Sequence, residues 1–154
     1  MENVSWKKCQ AFINKLNAAS GRRFSLPTEA QWEFAARGGV KSRGFKYSGS
    51  DDIDEVAWYS DNSDHPIHDV ATKQANELGI YDMSGNVWEW CNDRYGDYRS
   101  YPQTNPTGAF SGWCRILRGG ASSYDASCCR SSYRKNDSPD YWNSIFGLRL
   151  ALSE

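Results

Sequence analysis

The sequence has almost no excess of charge of either sign and no long apolar run. Its 154 residues carry a formal net charge of −1, so neither nucleic acid nor an anionic membrane is favoured as a partner. No stretch approaches the ~20 apolar residues that a membrane-spanning helix needs, which argues against direct membrane insertion. The opening MENVSWKKCQ lacks the apolar core of a signal peptide. The sequence therefore leaves the compartment open.

Cysteine and histidine are also scarce. Five cysteines are an odd number, which excludes a fully paired intramolecular framework. The adjacent Cys128 and Cys129 would form a strained bridge, so we expect free thiols. The only histidines are His65 and His68; Pro66 argues against a helix that would place both on one face, and we expect a surface loop. The sequence contains no recognisable Ser/His/Asp arrangement of a nucleophilic enzyme and no Gly-rich phosphate-binding loop.

Aromatic residues and turn residues are abundant. The chain holds 7 Trp and 9 Tyr, together with 13 Gly and 5 Pro. Tyr and Trp combine a large apolar area with a polar group, so they suit both cores and binding surfaces. The glycines and prolines indicate many turns. The length suits one domain with its own core, spanning residues 1–154.

Two helices are predicted near the start of the chain. Ser5 is a suitable N-cap for the first, and Gly21 lies beyond its end. Its apolar stripe consists of Trp6, Cys9, Phe12, Ile13 and Leu16. Thr28 and Gln31 form the capping box of the second helix, which Gly38 and Gly39 end. Phe34 lies away from that helix's packing stripe, so we expect it to be deeply buried.

Short strands are predicted in the second half. Val87 to Trp90 form one, with Trp88 and Trp90 facing one way and Glu89 the other, and RILRGG (115–120) forms another. From Phe146 to Leu152 apolar residues alternate with others, which predicts one strand with one buried face. Two early helices followed by short strands indicate the α+β class.

Four segments carry a family resemblance. They are GRRFSLPTEAQWEFAARGG, GIYDMSGNVWEW, RILRGG and FGLRLAL. In this order they resemble the formylglycine-generating-enzyme, or sulfatase-modifying-factor, domain family. The resemblance runs from NVSW to LRLAL. It implies an α+β, C-type-lectin-like fold with two helices, a small twisted antiparallel sheet and long irregular loops. It also implies that the family's portion ahead of NVSW is lacking, as in a trimmed or minimal member.

The resemblance implies a copper site in the enzymes of the family, held by two cysteine thiolates. Aligned on the turn at Gly119, the two thiolate positions are Tyr124 and Cys129. Tyrosine supplies no thiolate, and Cys128 would point elsewhere, so we expect no copper. A branch with non-haem iron would need more histidines than His65 and His68. A formylglycine-generating copper oxidase, or a degenerate member of that group, is kept as the alternative function.

A structural calcium ion is a further implication. Asp82, Gly85, Val87 and Glu89 match the positions at which family members hold calcium, with two carboxylates and two backbone carbonyls as ligands. Calcium takes 6–8 oxygens at ~2.3–2.6 Å, so this set is sparse. In the other interpretation Glu89 pairs with an arginine, Arg118 or Arg149.

The insert from 121 to 146 has the composition of a contact surface. Ser, Tyr, Asp and Asn occupy more than half of its two outer parts, 121–128 and 135–146, whereas 129–134 has the composition of framework. Tyr and Trp give rigid amphipathic area and Ser and Asn give adaptable hydrogen bonds. The predicted contact residues are Ser123, Tyr124, Asp125, Ser127, Cys128, Asn136, Asp137, Ser138, Tyr141, Trp142, Asn143 and Ser144.

The same region resembles the variable region of target proteins of diversity-generating retroelements. Gly119-Gly120, Pro139-Asp140 and Gly147-Leu148-Arg149 mark the landmarks of that arrangement. We therefore expect a monomeric, non-enzymatic protein that binds a protein or another macromolecule through 121–146. Display on a cell or phage surface would follow only if the retroelement resemblance holds. Tyr124, Tyr141 and Trp142 would be its aromatic anchors. An accessory structural domain is the third hypothesis.

Overall fold

A computed structural model describes residues 2–64 and 66–153. Helix α1 (Trp6–Ser20) begins where predicted, because the Ser5 hydroxyl accepts a hydrogen bond from the Lys8 amide. It ends at Gly21, whose φ of 67° lets its N–H donate to the Asn17 carbonyl. The helix buries Cys9 and Ile13. Both ends of the predicted helix are confirmed.

Helix α2 (Glu29–Ala36) has the predicted capping box, since Thr28 and Gln31 exchange side-chain and backbone hydrogen bonds. It follows the short strand β1 (Arg23–Ser25). Trp32 and Ala36 are buried. The prediction of burial for Phe34 is wrong, because its side chain is 58% exposed. The helix buries one stripe, and Phe34 lies off it, beside the loop at 96–109.

A single-turn helix and a parallel pair of short strands occupy the middle of the chain. Helix α3 (Ile53–Val56) leads directly into β2 (Ala57–Trp58), which pairs in parallel with β3 (Ser84–Gly85). α3 adds a third helix, of one turn, to the two predicted. Gly85 is required at this contact, because a Cβ there would lie 2.2 Å from the Trp58 carbonyl oxygen.

The main sheet has four strands in the order β6-β5-β4-β7. They are β4 (Trp88–Arg94), β5 (Arg115–Arg118), β6 (Lys135–Asp137) and β7 (Phe146–Leu148). β5 is antiparallel to both of its neighbours, whereas β4 and β7 are parallel. The sheet is therefore mixed where an antiparallel sheet was expected, because the long insert returns the chain to β4 in the same direction.

The last predicted strand divides into two. After β7 the chain leaves the main sheet, and β8 (Ala151–Ser153) pairs antiparallel with β1. Leu150 and Leu152 are 38% and 51% exposed, so the predicted continuous buried face is wrong. The break comes at Arg149, whose guanidinium turns toward Glu89.

The core lies on both faces of the main sheet. Trp88, Trp90 and Phe146 pack with α1 on one face, and Trp32 of α2 packs with Ile116 and Cys91 on the other. Glu89 accepts a hydrogen bond from the Trp32 indole at 2.7 Å, so the predicted alternation of Trp88, Glu89 and Trp90 is confirmed. All five cysteines are free. No helix in the described part of the chain is long and apolar enough to cross a bilayer.

Candidate functional site

The centre of the insert is fixed by a buried arginine. Arg118 is fully buried and donates to the carbonyl of Ser131 at 2.9 Å and to that of Tyr133. The Cys129 carbonyl accepts a hydrogen bond from the Ser84 hydroxyl at 2.9 Å. Cys129 and Ser131 are fully buried, which agrees with the predicted framework at 129–134. The outer parts of the insert therefore extend from an anchored centre.

None of the twelve predicted contact residues is buried. Six are exposed: Ser123, Asp125, Ser127, Tyr141, Trp142 and Ser144. Six are half-buried: Tyr124, Cys128, Asn136, Asp137, Ser138 and Asn143.

Tyr141 and Trp142 combine exposure with defined support. They are 48% and 56% exposed. The Tyr141 ring meets the buried Phe146 ring edge-on, with centroids 5.8 Å apart, and the Lys8 ammonium lies 5.8 Å from the Trp142 ring centroid. Each ring thus has one supported side and one side available to a ligand.

Tyr124 is half-buried and packs against the hydrophobic core, unlike the more exposed Tyr141 and Trp142. Its ring meets Trp88 edge-on, with centroids 5.4 Å apart, and Tyr133 packs against the same indole. Trp88 is the register partner of Phe146 across β4 and β7. The rings of Tyr124 and Tyr141, one from each outer part of the insert, therefore pack on residues of the neighbouring strands β4 and β7.

The predicted polar residues of β6 do not form one group. Asn136 is opposite Ile116 and Asp137 is opposite Arg115, and successive residues of a strand face opposite sides of a sheet. Asn136 therefore faces the α2 side and Asp137 the α1 side. Tyr124 and Tyr141 pack on the α1-side cluster and Trp142 contacts Lys8 of α1. We call Tyr124, Asp137, Tyr141 and Trp142 the contact surface.

Sequence reasoning missed the lysines around this surface. Lys7 pairs with Asp140 at 2.8 Å, and Lys135 lies 3.6 Å from the Asp137 carboxylate. Lys8 contacts Trp142. The pattern of α1 indicates that Lys7 and Lys8 face outward, but no local signal shows that they lie beside residues more than 120 positions away.

The two positions aligned with the copper thiolates differ in character. Burial raises the pKa of the Cys129 thiol to about 12, which opposes formation of a thiolate. The other position is the phenol of Tyr124. Within the described ranges no group of three or more His, Cys, Asp and Glu side chains could hold a metal ion. His68 stacks on Trp58 at 3.8 Å in a non-helical segment, and His65 lies outside the described residues.

The predicted calcium ligands do not fit the ion as a set. Asp82, Val87 and Glu89 line one cavity, of about 500 Å³, but Arg149 lines it as well. Both Glu89 oxygens accept from the Arg149 guanidinium, at 2.8 and 3.0 Å, and Asp82 accepts from the Ala71 amide at 2.8 Å. An ion between these carboxylates would have to displace a guanidinium. The alternative, Glu89 paired with an arginine, is the arrangement observed.

The mixed sheet, its two flanking helices and the long loops define a C-type-lectin-like α+β domain, as predicted. The chain matches the sulfatase-modifying factor enzyme 1-like domain over residues 1–154. The chain belongs to that family.

Relatives of known structure and sequence support the same assignment. Treponema denticola variable protein 1 has a TM-score of 0.90 at 32% identity, covering 97% of this chain and 69% of that chain. The chaperone protein LppX of Paenibacillus barcinonensis is 39% identical over 99% of this chain and 55% of its own length. The formylglycine-generating enzyme of Streptomyces coelicolor is 32% identical over 97% of this chain and 51% of its own length. The chain thus spans about half the length of these two curated relatives. The predicted resemblances to the enzyme family and to a variable protein are confirmed.

Proposed function

We propose that this chain is a non-enzymatic binding protein that recognises a protein ligand through the contact surface. The observation that carries the proposal is the state of Tyr141 and Trp142, which remain about half exposed while Phe146 and Lys8 hold them in place. Rings presented in this way give contact area with little loss of conformational entropy on binding. Ser123, Asp125 and Ser144 of the same insert are also exposed and would add groups for hydrogen bonding.

Comparative capture tests this function. The immobilised wild-type chain, Y141A/W142A and F110A/W113A are exposed to the same cell lysate, and bound proteins are quantified by mass spectrometry. Phe110 and Trp113 are 93% and 75% exposed and lie outside the insert, so the control also removes two exposed rings. We expect one protein to be retained by wild type and control, and its captured amount to fall at least about tenfold with Y141A/W142A, because two anchor rings contribute more than ~1.4 kcal/mol to binding. Equal capture by all three chains would contradict the proposal.

We propose further that the insert at 121–146 is diversified at positions other than Lys135 and Trp142, as in the variable protein of a retroelement. The structural similarity to Treponema denticola variable protein 1 supports this, as do the six exposed and six half-buried positions. Sequencing around the gene tests it. We expect a reverse-transcriptase gene and a near-copy of codons 121–149 that differs only at adenines. A neighbourhood with neither would remove this part of the proposal and leave the binding function intact.

The alternative is a formylglycine-generating oxidase, which the identity with the Streptomyces enzyme favours. It would need a second thiolate beside Cys129, where this chain has Tyr124, and deprotonation of a thiol whose pKa burial raises to about 12. Titration with Cu(I) separates the two functions. Stoichiometric uptake that is lost in C129S, together with oxidation of a cysteine peptide, would favour the oxidase.

A further inference from the structure

A second cavity lies on the α2 side of the sheet, away from the contact surface. Its volume is about 460 Å³, within the range of pockets that take small molecules. Its polar floor includes Glu29, Asp93 and Arg134, and its walls include Phe34, Tyr98 and Tyr101. These three rings are 58%, 67% and 55% exposed, so a ligand in the cavity would cover aromatic surface that now faces solvent.

Most of the buried charges around the floor are paired. Arg134 donates to both oxygens of Glu29, at 2.6 and 2.9 Å. Glu33 is paired with Arg118 and, at 2.7 Å, with Arg37. These carboxylates therefore need no further cation.

Asp93 is the exception. It is only 3% exposed, and among residues 2–64 and 66–153 it has no ion-pair partner. Its Oδ2 accepts from the Glu29 amide at 2.9 Å, whereas Oδ1 accepts no hydrogen bond from another residue in that part of the chain. Gly108 lies beside Oδ1, because a Cβ built there would be 3.1 Å away. Asp93 is thus a buried carboxylate that is held by the Glu29 amide and its own amide and lies in the field of Arg134, with no cation of the described residues in direct contact. Buried charges in proteins are normally paired or bind an ion.

The walls favour the same kind of partner. Of the wall rings, Tyr98 already has the Arg134 guanidinium 4.1 Å from its centroid, which shows that this ring accepts a cation. One unpaired carboxylate is too few ligands for a metal ion, and the cavity is much larger than an ion requires. A cation with apolar substituents fits both the carboxylate and the rings.

We propose that this cavity binds a small organic cation, with its ammonium group paired to Asp93 and its apolar part against Phe34, Tyr98 and Tyr101. The site is separate from the contact surface and does not depend on the function proposed for it. A free amine or the lysine side chain of a partner could supply the ammonium group.

Two ligands of equal shape test the charge requirement. Choline and its uncharged carbon analogue 3,3-dimethylbutan-1-ol are titrated into the whole chain at pH 7 by calorimetry or NMR. We expect saturable binding of choline and at least tenfold weaker binding of the alcohol, the size of a ~1.4 kcal/mol charge contribution. Capped lysine serves as a third ligand, and the tighter-binding of the two cations, choline or capped lysine, identifies the source of the ammonium group. Equal binding of choline and the alcohol, or no saturable binding of either choline or capped lysine, would overturn the proposal.

Two variants locate the site. D93N keeps an acceptor for the Glu29 amide and removes the charge, and should weaken choline binding by about tenfold or more. D69N removes an exposed carboxylate outside the cavity lining and should bind as wild type. Melting temperatures establish that both variants are folded. Unchanged affinity in folded D93N would overturn the proposal.

The pH dependence gives an independent readout. Burial raises the pKa of Asp93 to about 6, so affinity should fall about tenfold between pH 7 and pH 5 as the carboxylate is protonated. Other charged or titratable groups line the same cavity: Glu29, Glu33, Asp97, Tyr98, Arg99 and Arg134. The loss of choline affinity between pH 7 and pH 5 should therefore be absent in D93N. A loss that persists in D93N would be due to one of these other groups and would contradict the role of Asp93.

Discussion

Replacing Arg149 by methionine should destabilise the fold because it leaves a buried carboxylate without its cation. Glu89 is 5% exposed, and after the change only the Trp32 indole would still donate to it. Removing one partner of a buried pair costs about 3–5 kcal/mol. Since the Arg149 side chain is 28% exposed, we expect the lower end, about 3 kcal/mol. For a domain of this size that lowers the melting temperature by roughly 10 °C.

Thermal and urea unfolding measure the effect, with three comparisons. R22M changes an exposed arginine and should stay within about 0.5 kcal/mol of wild type. The double variant E89Q/R149M should recover part of the loss, because no uncompensated charge remains. EDTA should leave the wild-type melting temperature unchanged. A loss below about 1 kcal/mol in R149M, or a melting temperature that falls in EDTA and recovers with calcium, would refute this assignment of Glu89.

Three further outcomes are expected. Asp93 binds its proton more tightly in the folded state, with a pKa of about 6 against an ordinary 3.8, so its contribution to stability is greatest at low pH and is lost as the pH rises through 6. The stability of D93N relative to wild type should thus grow by about 2 kcal/mol from pH 4 to pH 7, and a flat difference in urea unfolding would contradict this. G85A should lower the melting temperature strongly, because its Cβ would lie 2.2 Å from the Trp58 carbonyl oxygen at a φ of 76°, and a near-normal melting temperature would show that β2 and β3 can separate. Iodoacetamide should label Cys128 well before Cys9 and Cys129, since burial raises the pKa of both of those thiols to about 12. Mass spectrometry measures the order of labelling, and earlier labelling of Cys9 or Cys129 would contradict this prediction.

Local signals in the sequence predicted the helices well. Ser5 and Thr28 act as caps through hydrogen bonds within three residues, and such contacts depend on neighbours in the chain. The alternation of Trp88, Glu89 and Trp90 similarly requires only the pleat of one strand. These features could therefore be predicted without knowledge of the tertiary structure.

Features that depend on distant parts of the chain could not be predicted in this way. The strand ending at Leu148 stops because Arg149 turns to Glu89, 60 positions away. Phe34 is exposed because the loop at 96–109 forms a cavity beside it and does not fill the space. Asn136 and Asp137 were grouped by composition, but their register with β5 separates them. The cavity around Asp93 was missed for the same reason, since its residues come from three separate segments: 29–34, 93–109 and 134.

The affinity of the contact surface for its captured protein tests the central claim most directly. Calorimetry would compare wild type, Y141A/W142A and F110A/W113A. We expect the dissociation constant of Y141A/W142A to rise at least about 100-fold, ~2.7 kcal/mol. The loss of one edge-on ring pair should lower its melting temperature by only about 3 °C. An unchanged dissociation constant, or a loss of binding that merely follows unfolding, would contradict recognition through Tyr141 and Trp142.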